Sequence, residues 1–512
     1  MSISSEWNSL KASWLIILIF FIGRIYLSGS FLLSPVEALY WQAGTVNGAN
    51  SFLPITSPLL TWMHKLSIAI LGHHEIAVRL PATLALSLCA LYMALLSASM
   101  FSWHAALHVT LLTQGILLYN LSALVVSPLS ILALCWAAVC YHASQAMHEN
   151  RTGGWLLAGF WFGLGLLTSP SMLLLLPCLV FCFIFIRPFR KCLLYAGPWL
   201  GLFFSLCIFL SAALLLHVPF SDFIAPFLKP ADFLANLIPD LSHSIGFLSD
   251  QAILITPFVL LLVFTGWVTG SSGRRVVRAD VQFLSLTSLP VFLFFLIFPV
   301  FENTGPAWSM IGTLTAIILI GGLYSSTRTG FKGRPHRRWL IALVTAYCFS
   351  IPLLLKIPFP SLPLPVDFRQ AALDVYGWDG LGRDVGGVLA DMPDPEKTFV
   401  FSVEPGIAAE LAFYTPGRPD VLSLDHRSRT DGTYAPQEFQ RFTGRDGVGV
   451  VRTTTAVEKL KTLFARVERS GETVMDSETR SAGSRPGKFI LVRCFDFSGP
   501  GPSTPDSSSP VQ

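Results

Sequence analysis

Residues 12–41 read ASWLIILIFFIGRIYLSGSFLLSPVEALYW, and the division of that stretch sets the pattern for the rest of the chain. Ala12 to Leu33 carries one charge, Arg24, and is long enough to cross a bilayer, which takes about 20 apolar residues. It is too long for the apolar core of a signal peptide and lacks a clean small-residue cleavage site, so it reads as a retained first membrane helix. Arg24 is costly in lipid and is expected to face protein or a headgroup, with Glu37 or a lipid phosphate as its partner. Ser34-Pro35 then ends the span, and Glu37 is placed to cap a helix beginning near Ala38.

The same alternation continues outward. Of 512 residues, 52% are hydrophobic and only 13% charged, and the mean hydropathy is +0.59, which excludes a soluble protein. Apolar runs fall at 12–33, 80–101, 104–122, 128–147, 155–169, 171–187, 193–216, 252–272, 281–301, 305–325 and 339–356. They predict a polytopic α-helical membrane protein with about 11 transmembrane helices. Pro170 is expected to mark a turn, because 155–187 is too long for one span.

Three basic clusters share one side if the spans alternate. They are Arg187, Arg190 and Lys191; Arg274, Arg275 and Arg278; and Arg328, Lys332, Arg334, Arg337 and Arg338. Positive charge collects in cytoplasmic loops, so the N-terminus is expected in the cytoplasm and residues 357–512 outside it. The net charge of +4 thus has a topological origin and points to no nucleic-acid partner. The opposite loops, 34–79 and 217–251, are long and carry Tyr40, Trp41, Trp62, Phe220, Phe223 and Phe233. Such loops predict short interfacial helices bordering a lipid-facing cleft.

After Val366 the pattern changes. Trp378, Leu381, Val385, Val388 and Leu389 recur at helical spacing, and strand-like runs at 398–403, 448–453 and 488–495 alternate with helical ones. The expected organisation is a membrane domain over 1–360, a C-terminal extracytoplasmic α/β domain over 366–497 and a Pro/Ser/Gly-rich disordered tail over 498–512. Eight of the nine cysteines lie in or beside apolar spans, and Cys494 is alone in the tail, so the tail domain cannot close an internal disulfide.

Val36-Glu37-Ala38-Leu39-Tyr40-Trp41 is similar to the Asp-Glu-Ala-Tyr-Tyr-Trp-like start of the first outer loop in a known family. That family is the dolichyl-phosphate-mannose–protein mannosyltransferases, glycosyltransferase family 39, with bacterial relatives that include the lipid A aminoarabinose transferases. Ser57-Pro58-Leu59-Leu60 resembles its Pro-Pro-Leu-like turn, and Gly72 to Pro81 its Gly-x-x-Glu-x-x-x-Arg-Leu-Pro-like approach to the second span. Gly163 to Ser169, Gly197-Pro198-Trp199-Leu200, Tyr376-Gly377-Trp378 and Ala409 to Tyr414 resemble later landmarks. The departures fall at polar positions: the family's first-loop aspartate corresponds to Val36, a second acid to Leu129, a lysine to Ser169 and a Trp-Asn pair to Leu216-His217.

The resemblance implies a GT-C-like enzyme of the plasma (bacterial inner) membrane. It would move a sugar from a polyprenyl-phosphate donor to an envelope lipid, glycan or protein acceptor on the outer face. It implies no particular cofactor, and the loop residues His64, His73, His74 and Glu75 match no strong zinc spacing. Such chemistry needs a carboxylate to deprotonate the acceptor hydroxyl and a cation to balance the leaving phosphate. Glu37, the only acid of the first outer loop before Glu75, is the candidate base. Lys65 and Arg79 are candidates for the phosphate, and Tyr40 and Trp41 for the sugar. All but Lys65 also have a structural alternative: Glu37 as a helix cap, Arg79 as an interfacial anchor, the aromatics as a membrane belt. The lost polar positions leave open an inactive relative that binds a lipid-linked sugar or acts as a scaffold. A transporter is less well supported, since the spans hold few acids and show no inverted repeat.

Overall fold

The computed structural model describes residues 3–45, 57–149, 151–215, 241–271, 279–298, 306–325, 335–357, 375–424, 439–474 and 488–499. These form two compact units. The first takes the described residues of 1–28, 55–70 and 76–358, and the second those of 29–54, 71–75 and 359–512. The sequence grouped the whole of 34–79 with the membrane domain; here residues 34–45 and 71–75 group with the C-terminal chain. The expected tail from Pro500 onward, and most of the loop 217–251, lie outside the described residues.

The helices up to residue 215 are α1 (Ile3–Ser28), α2 (Pro35–Thr45), α3 (Pro58–Leu71), α4 (Glu75–Met100), α5 (Trp103–Gly115), α6 (Leu117–Leu124), α7 (Pro128–Glu149), α8 (Thr152–Leu166), α9 (Leu175–Phe185) and α10 (Ala196–Leu215). There follow α11 (Leu241–Ile255), α12 (Pro257–Ser271), α13 (Ala279–Ile297), α14 (Met310–Ser325) and α15 (Pro335–Lys356). Every apolar run named above overlaps at least one of these helices, and 104–122 and 252–272 each overlap two. Among the described residues six are long and apolar enough to span a membrane, or up to nine if each of three bent pairs is one span.

The bends have local causes. α5 and α6 meet at 66° across Ile116, and α11 and α12 at 109° across Thr256. Thr256 has φ of 75°, a region that β-branched residues rarely enter, and Pro257 behind it cannot continue the helical ladder. The expected span 252–272 is therefore split close to its start. At Pro170 the helix stops at Leu166 and resumes as a 3-10 turn, which Ser169 caps through Oγ on the Ser171 amide. α1 ends at Ser28, before Gly29-Ser30, rather than at Leu33.

α8 and α10 lie unusually close. A Cβ on Gly159 would stand 2.1 Å from the Gly201 carbonyl oxygen, and one on Gly201 2.5 Å from that of Trp155. In lipid, small residues allow this backbone contact, and dispersion rather than the hydrophobic effect rewards it.

The second unit is an α/β layer. Its helices are α16 (Trp378–Ala390), α17 (Pro405–Tyr414) and α18 (Thr454–Leu460). Its strands are β1 (Phe399–Ser402), β2 (Val421–Ser423), β3 (Gly447–Val451), β4 (Phe464–Val474) and β5 (Lys488–Phe497), in the order β2-β1-β3-β5-β4. β1 pairs parallel with β2 and β3, and β5 antiparallel with β3 and β4. Alternation assigns the two faces. Phe399 and Phe401 join Phe464, Phe497 and Leu460 on one side. Val400, Val448 and Val450 meet Trp378, Ile407 and Leu411 of the helices on the other. Gly447 and Gly449 leave room on β3 for the two phenylalanine rings: a Cβ on Gly449 would lie 2.4 Å from Phe401.

Gly159→Val is expected to push α8 and α10 apart, at or above the upper end of the usual overpacking cost of about 1–3 kcal/mol, because backbone cannot change rotamer. A methyl at Gly153 meets nothing within 4 Å, so Gly153→Ala is the control. The check is a melting temperature in detergent, lowered for the first variant only.

Candidate functional site

The first turn of α2 is closed by a reciprocal cap. The Ser34 N–H and hydroxyl donate to Glu37 Oε2 at 3.0 and 3.2 Å, and the Glu37 N–H donates to Ser34 Oγ at 3.4 Å. Ser-x-x-Glu with Pro at the first helical position is the sequence form of this capping box. The helix begins at Pro35, three residues earlier than expected. Glu37 is 0% exposed, whereas Val36, where the resembled family has its aspartate, is 55% exposed. Successive helical residues point about 100° apart, so Glu37 does not take over the direction of position 36. A carboxylate has about four acceptor sites, and these cap bonds use one of its two oxygens.

Two turns' worth of α2 then pack into the second unit. Trp41, 5% exposed, donates its indole N–H to His73 Nδ1 at 3.1 Å. It stands edge-on to Phe413 with centroids 5.0 Å apart. Gly406 on α17 admits Pro35, which a Cβ there would meet at 2.8 Å. Tyr40 is half-buried, and burial pushes its phenol up to about 12.

A cluster without an assigned role in the sequence sits beside it. The Tyr414 hydroxyl accepts the Leu33 amide at 2.8 Å and donates to Glu75 Oε1 at 3.1 Å. Burial first, then the charges of Glu410 and Glu75, push this phenol up. Glu410 is fully buried. Its signal was present as a lone acid in the apolar run Ile407 to Tyr414. Arg418 closes the cluster, donating to the His73 carbonyl at 3.3 Å and lying over the Phe413 ring.

The other two candidates belong to the first unit. Arg79 is fully buried and donates through Nη1 to the Ser28 carbonyl at 2.7 Å, capping the C-terminus of α1. Lys65 on α3 is exposed and makes no ion pair among the described residues. Leu129 is buried at the start of α7. Arg24 is bonded by Gln114 and Asn120. Among the described residues no three metal-ligating side chains converge.

Comparison with known proteins supports this architecture. Residues 55–214 match the family model "Dolichyl-phosphate-mannose-protein mannosyltransferase". The chain is 26% identical over 324 residues to the undecaprenyl phosphate-alpha-4-amino-4-deoxy-L-arabinose arabinosyl transferase of Serratia proteamaculans (strain 568). That match covers 56% of this chain and 55% of the relative, so the chain spans about half the length of the curated relative it matches. The crystal structure of ArnT from Cupriavidus metallidurans bound to undecaprenyl phosphate superposes with a TM-score of 0.62 at 13% identity, covering 95% of this chain and 99% of ArnT. The archaeal oligosaccharyltransferase AglB from Archaeoglobus fulgidus, in complex with an inhibitory peptide and a dolichol-phosphate, gives 0.52 at 11% identity, covering 88% of this chain and 70% of AglB. The chain therefore has the GT-C fold of these proteins; its own described residues form a multi-pass helical membrane unit and a small C-terminal sheet domain. In sequence it is similar to the mannosyltransferase and aminoarabinose-transferase type of membrane glycosyltransferase.

Burial, Arg418 and His74 hold His73 below its ordinary value of about 6.5. The folded state thus favours neutral His73, whose Nδ1 must stay unprotonated to accept from Trp41. Its contribution is fully present above the unfolded value and is lost as pH falls through that value toward the folded one. Melting temperatures between about pH 7.5 and pH 5 should fall more for wild type than for His73→Gln, which can accept from the indole without titrating. Parallel curves would refute this role.

Proposed function

We propose that this protein is an integral membrane glycosyltransferase that moves a sugar from a polyprenyl-phosphate donor to a hydroxyl on an envelope lipid, glycan or protein. The observation that carries the proposal is the GT-C fold over nearly the whole chain, shared with an ArnT bound to undecaprenyl phosphate, together with the family match at 55–214. Transfer breaks the bond from the anomeric carbon to the phosphate oxygen and forms one to the acceptor oxygen. The acceptor proton goes to a base, and the polyprenyl phosphate leaves as an anion.

Glu37 is the candidate base, standing at a helix N-terminus that favours negative charge. A cation must meet the leaving phosphate. Lys65, exposed and without an ion pair among the described residues, answers that need better than Arg79, one of whose nitrogens caps α1. Tyr40 presents a half-buried phenol to a sugar, while Trp41 is enclosed. The N-terminus would lie in the cytoplasm of a cell with the α/β unit on the outer face of the plasma membrane, in keeping with Arg187, Arg190, Lys191, Arg337 and Arg338 on one side. A purely scaffolding relative has less in its favour, although the exposed Val36 is the feature it would explain.

The test is mass spectrometry of envelope glycolipids and glycans in a deletion strain complemented with wild type or Glu37→Gln. The glutamine keeps an acceptor for the Ser34 amide, so the variant's stability, followed by its melting temperature, should change by no more than about 1 kcal/mol. A sugar mass restored by wild type and reduced about 100-fold or more in the variant is expected. Equal restoration would remove Glu37 from the chemistry, and no missing mass in the deletion strain would refute the transferase.

A further inference from the structure

We infer that the first unit contains a buried oxyanion site for a phosphate group, formed by Arg24, Gln114 and Asn120 at the break between α5 and α6. The site consists of side chains of the first unit alone and does not depend on the transferase proposal.

Arg24 lies four residues before the end of α1, about 6 Å along the helix axis from Ser28. It does not snorkel to water, being 3% exposed. Its partners are all neutral. Nη2 donates to Gln114 Oε1 and to Asn120 Oδ1, the latter at 2.8 Å, and Nε donates to Asn120 Oδ1 at 3.2 Å. The rings of Phe20 and Tyr119 flank the guanidinium with centroids 5.6 and 5.4 Å away. No carboxylate pairs with it among the described residues.

Two donors at this cluster have no acceptor among the described residues: Arg24 Nη1 and Gln114 Nε2, both buried. The surrounding frame is fixed. Asn120 Nδ2 donates to the Gln114 and Ile116 carbonyls at 2.8 and 2.9 Å, satisfying the backbone freed by the bend and aiming its Oδ1 at Arg24. Gly115 is pressed on Tyr347, whose ring a Cβ there would meet at 2.8 Å. Two buried N–H donors without acceptors, at a guanidinium with no counter-charge among the described residues, are what an oxyanion would satisfy. A purely structural tie across the bend would not need the charge, since an unpaired buried cation is strongly destabilising. Phosphate is favoured over other oxyanions by depth: one helical turn inside the end of a span is where the headgroups of a lipid leaflet begin. The same chemistry is supplied by a lipid-borne phosphate monoester or by free phosphate.

Full-length protein in neutral maltoside micelles should be melted with and without dodecyl phosphate, and separately with inorganic phosphate. Wild type is expected to gain at least about 2 °C at saturation relative to two variants, Arg24→Gln and Gln114→Glu. Gln114→Glu supplies an internal counter-charge, so it should melt no lower than wild type without ligand and yet lose the response. A shift with dodecyl phosphate alone identifies a lipid-borne group, and a shift with inorganic phosphate a free ion. The inference is overturned if wild type responds no more than the two variants, or if Gln114→Glu responds as wild type does.

Discussion

The second unit depends on one hydroxyl. Tyr414, at the end of α17, takes the amide proton of Leu33 and gives its own to Glu75, so three distant pieces of chain meet at a single oxygen. Leu33 is the residue before the Ser34 cap, and fixing its amide fixes the direction in which α2 departs. From there the capping box sets the helix, Pro35 settles over Gly406, and Trp41 arrives against Phe413 and His73. The sheet beneath holds α17 through Ile407 and Leu411. The inward turn of Glu37 and outward turn of Val36 are thus consequences of packing that starts in strands some 370 residues later.

The first unit solves a different problem. In lipid a helix can stop only where its freed backbone groups find partners. Asn120 supplies them at the α5–α6 bend, and Arg79 does so at the end of α1. Between bends, association rests on close approach, as at Gly159 and Gly201. Polar side chains such as Asn120 and Arg79 are therefore engaged first by backbone.

Much of this was legible in the sequence because lipid imposes a one-dimensional signal. Apolar runs locate helices well, and each expected run overlaps at least one. Their ends and bends were less visible: Ile116 interrupts an unbroken apolar stretch, and the Thr256–Pro257 break became visible only with the helix that precedes it. The Ser34-x-x-Glu37 cap is a local pattern and could be read directly. Arg24 could be flagged as needing a partner, but Gln114 and Asn120 lie 90 and 96 residues away, where no spacing rule reaches. Tyr414 and Glu410 stood in a quoted motif without a role for the same reason. Their significance comes from contact with Leu33 and Glu75, which only tertiary structure brings near.

The way the second unit is threaded has a bearing on biosynthesis. Its first pieces, 29–45 and 71–75, emerge early, yet Tyr414 follows Leu33 by 381 residues, with the membrane unit's 76–358 made in between. At about 5–20 residues per second, that interval is on the order of 20–80 s. For that time Trp41 and the Leu33 amide have none of their eventual neighbours from α17. A chain truncated before β5 would carry the described membrane helices and an unfinished second unit. The strands made last, β4 and β5, close the sheet on which the pieces made first come to rest.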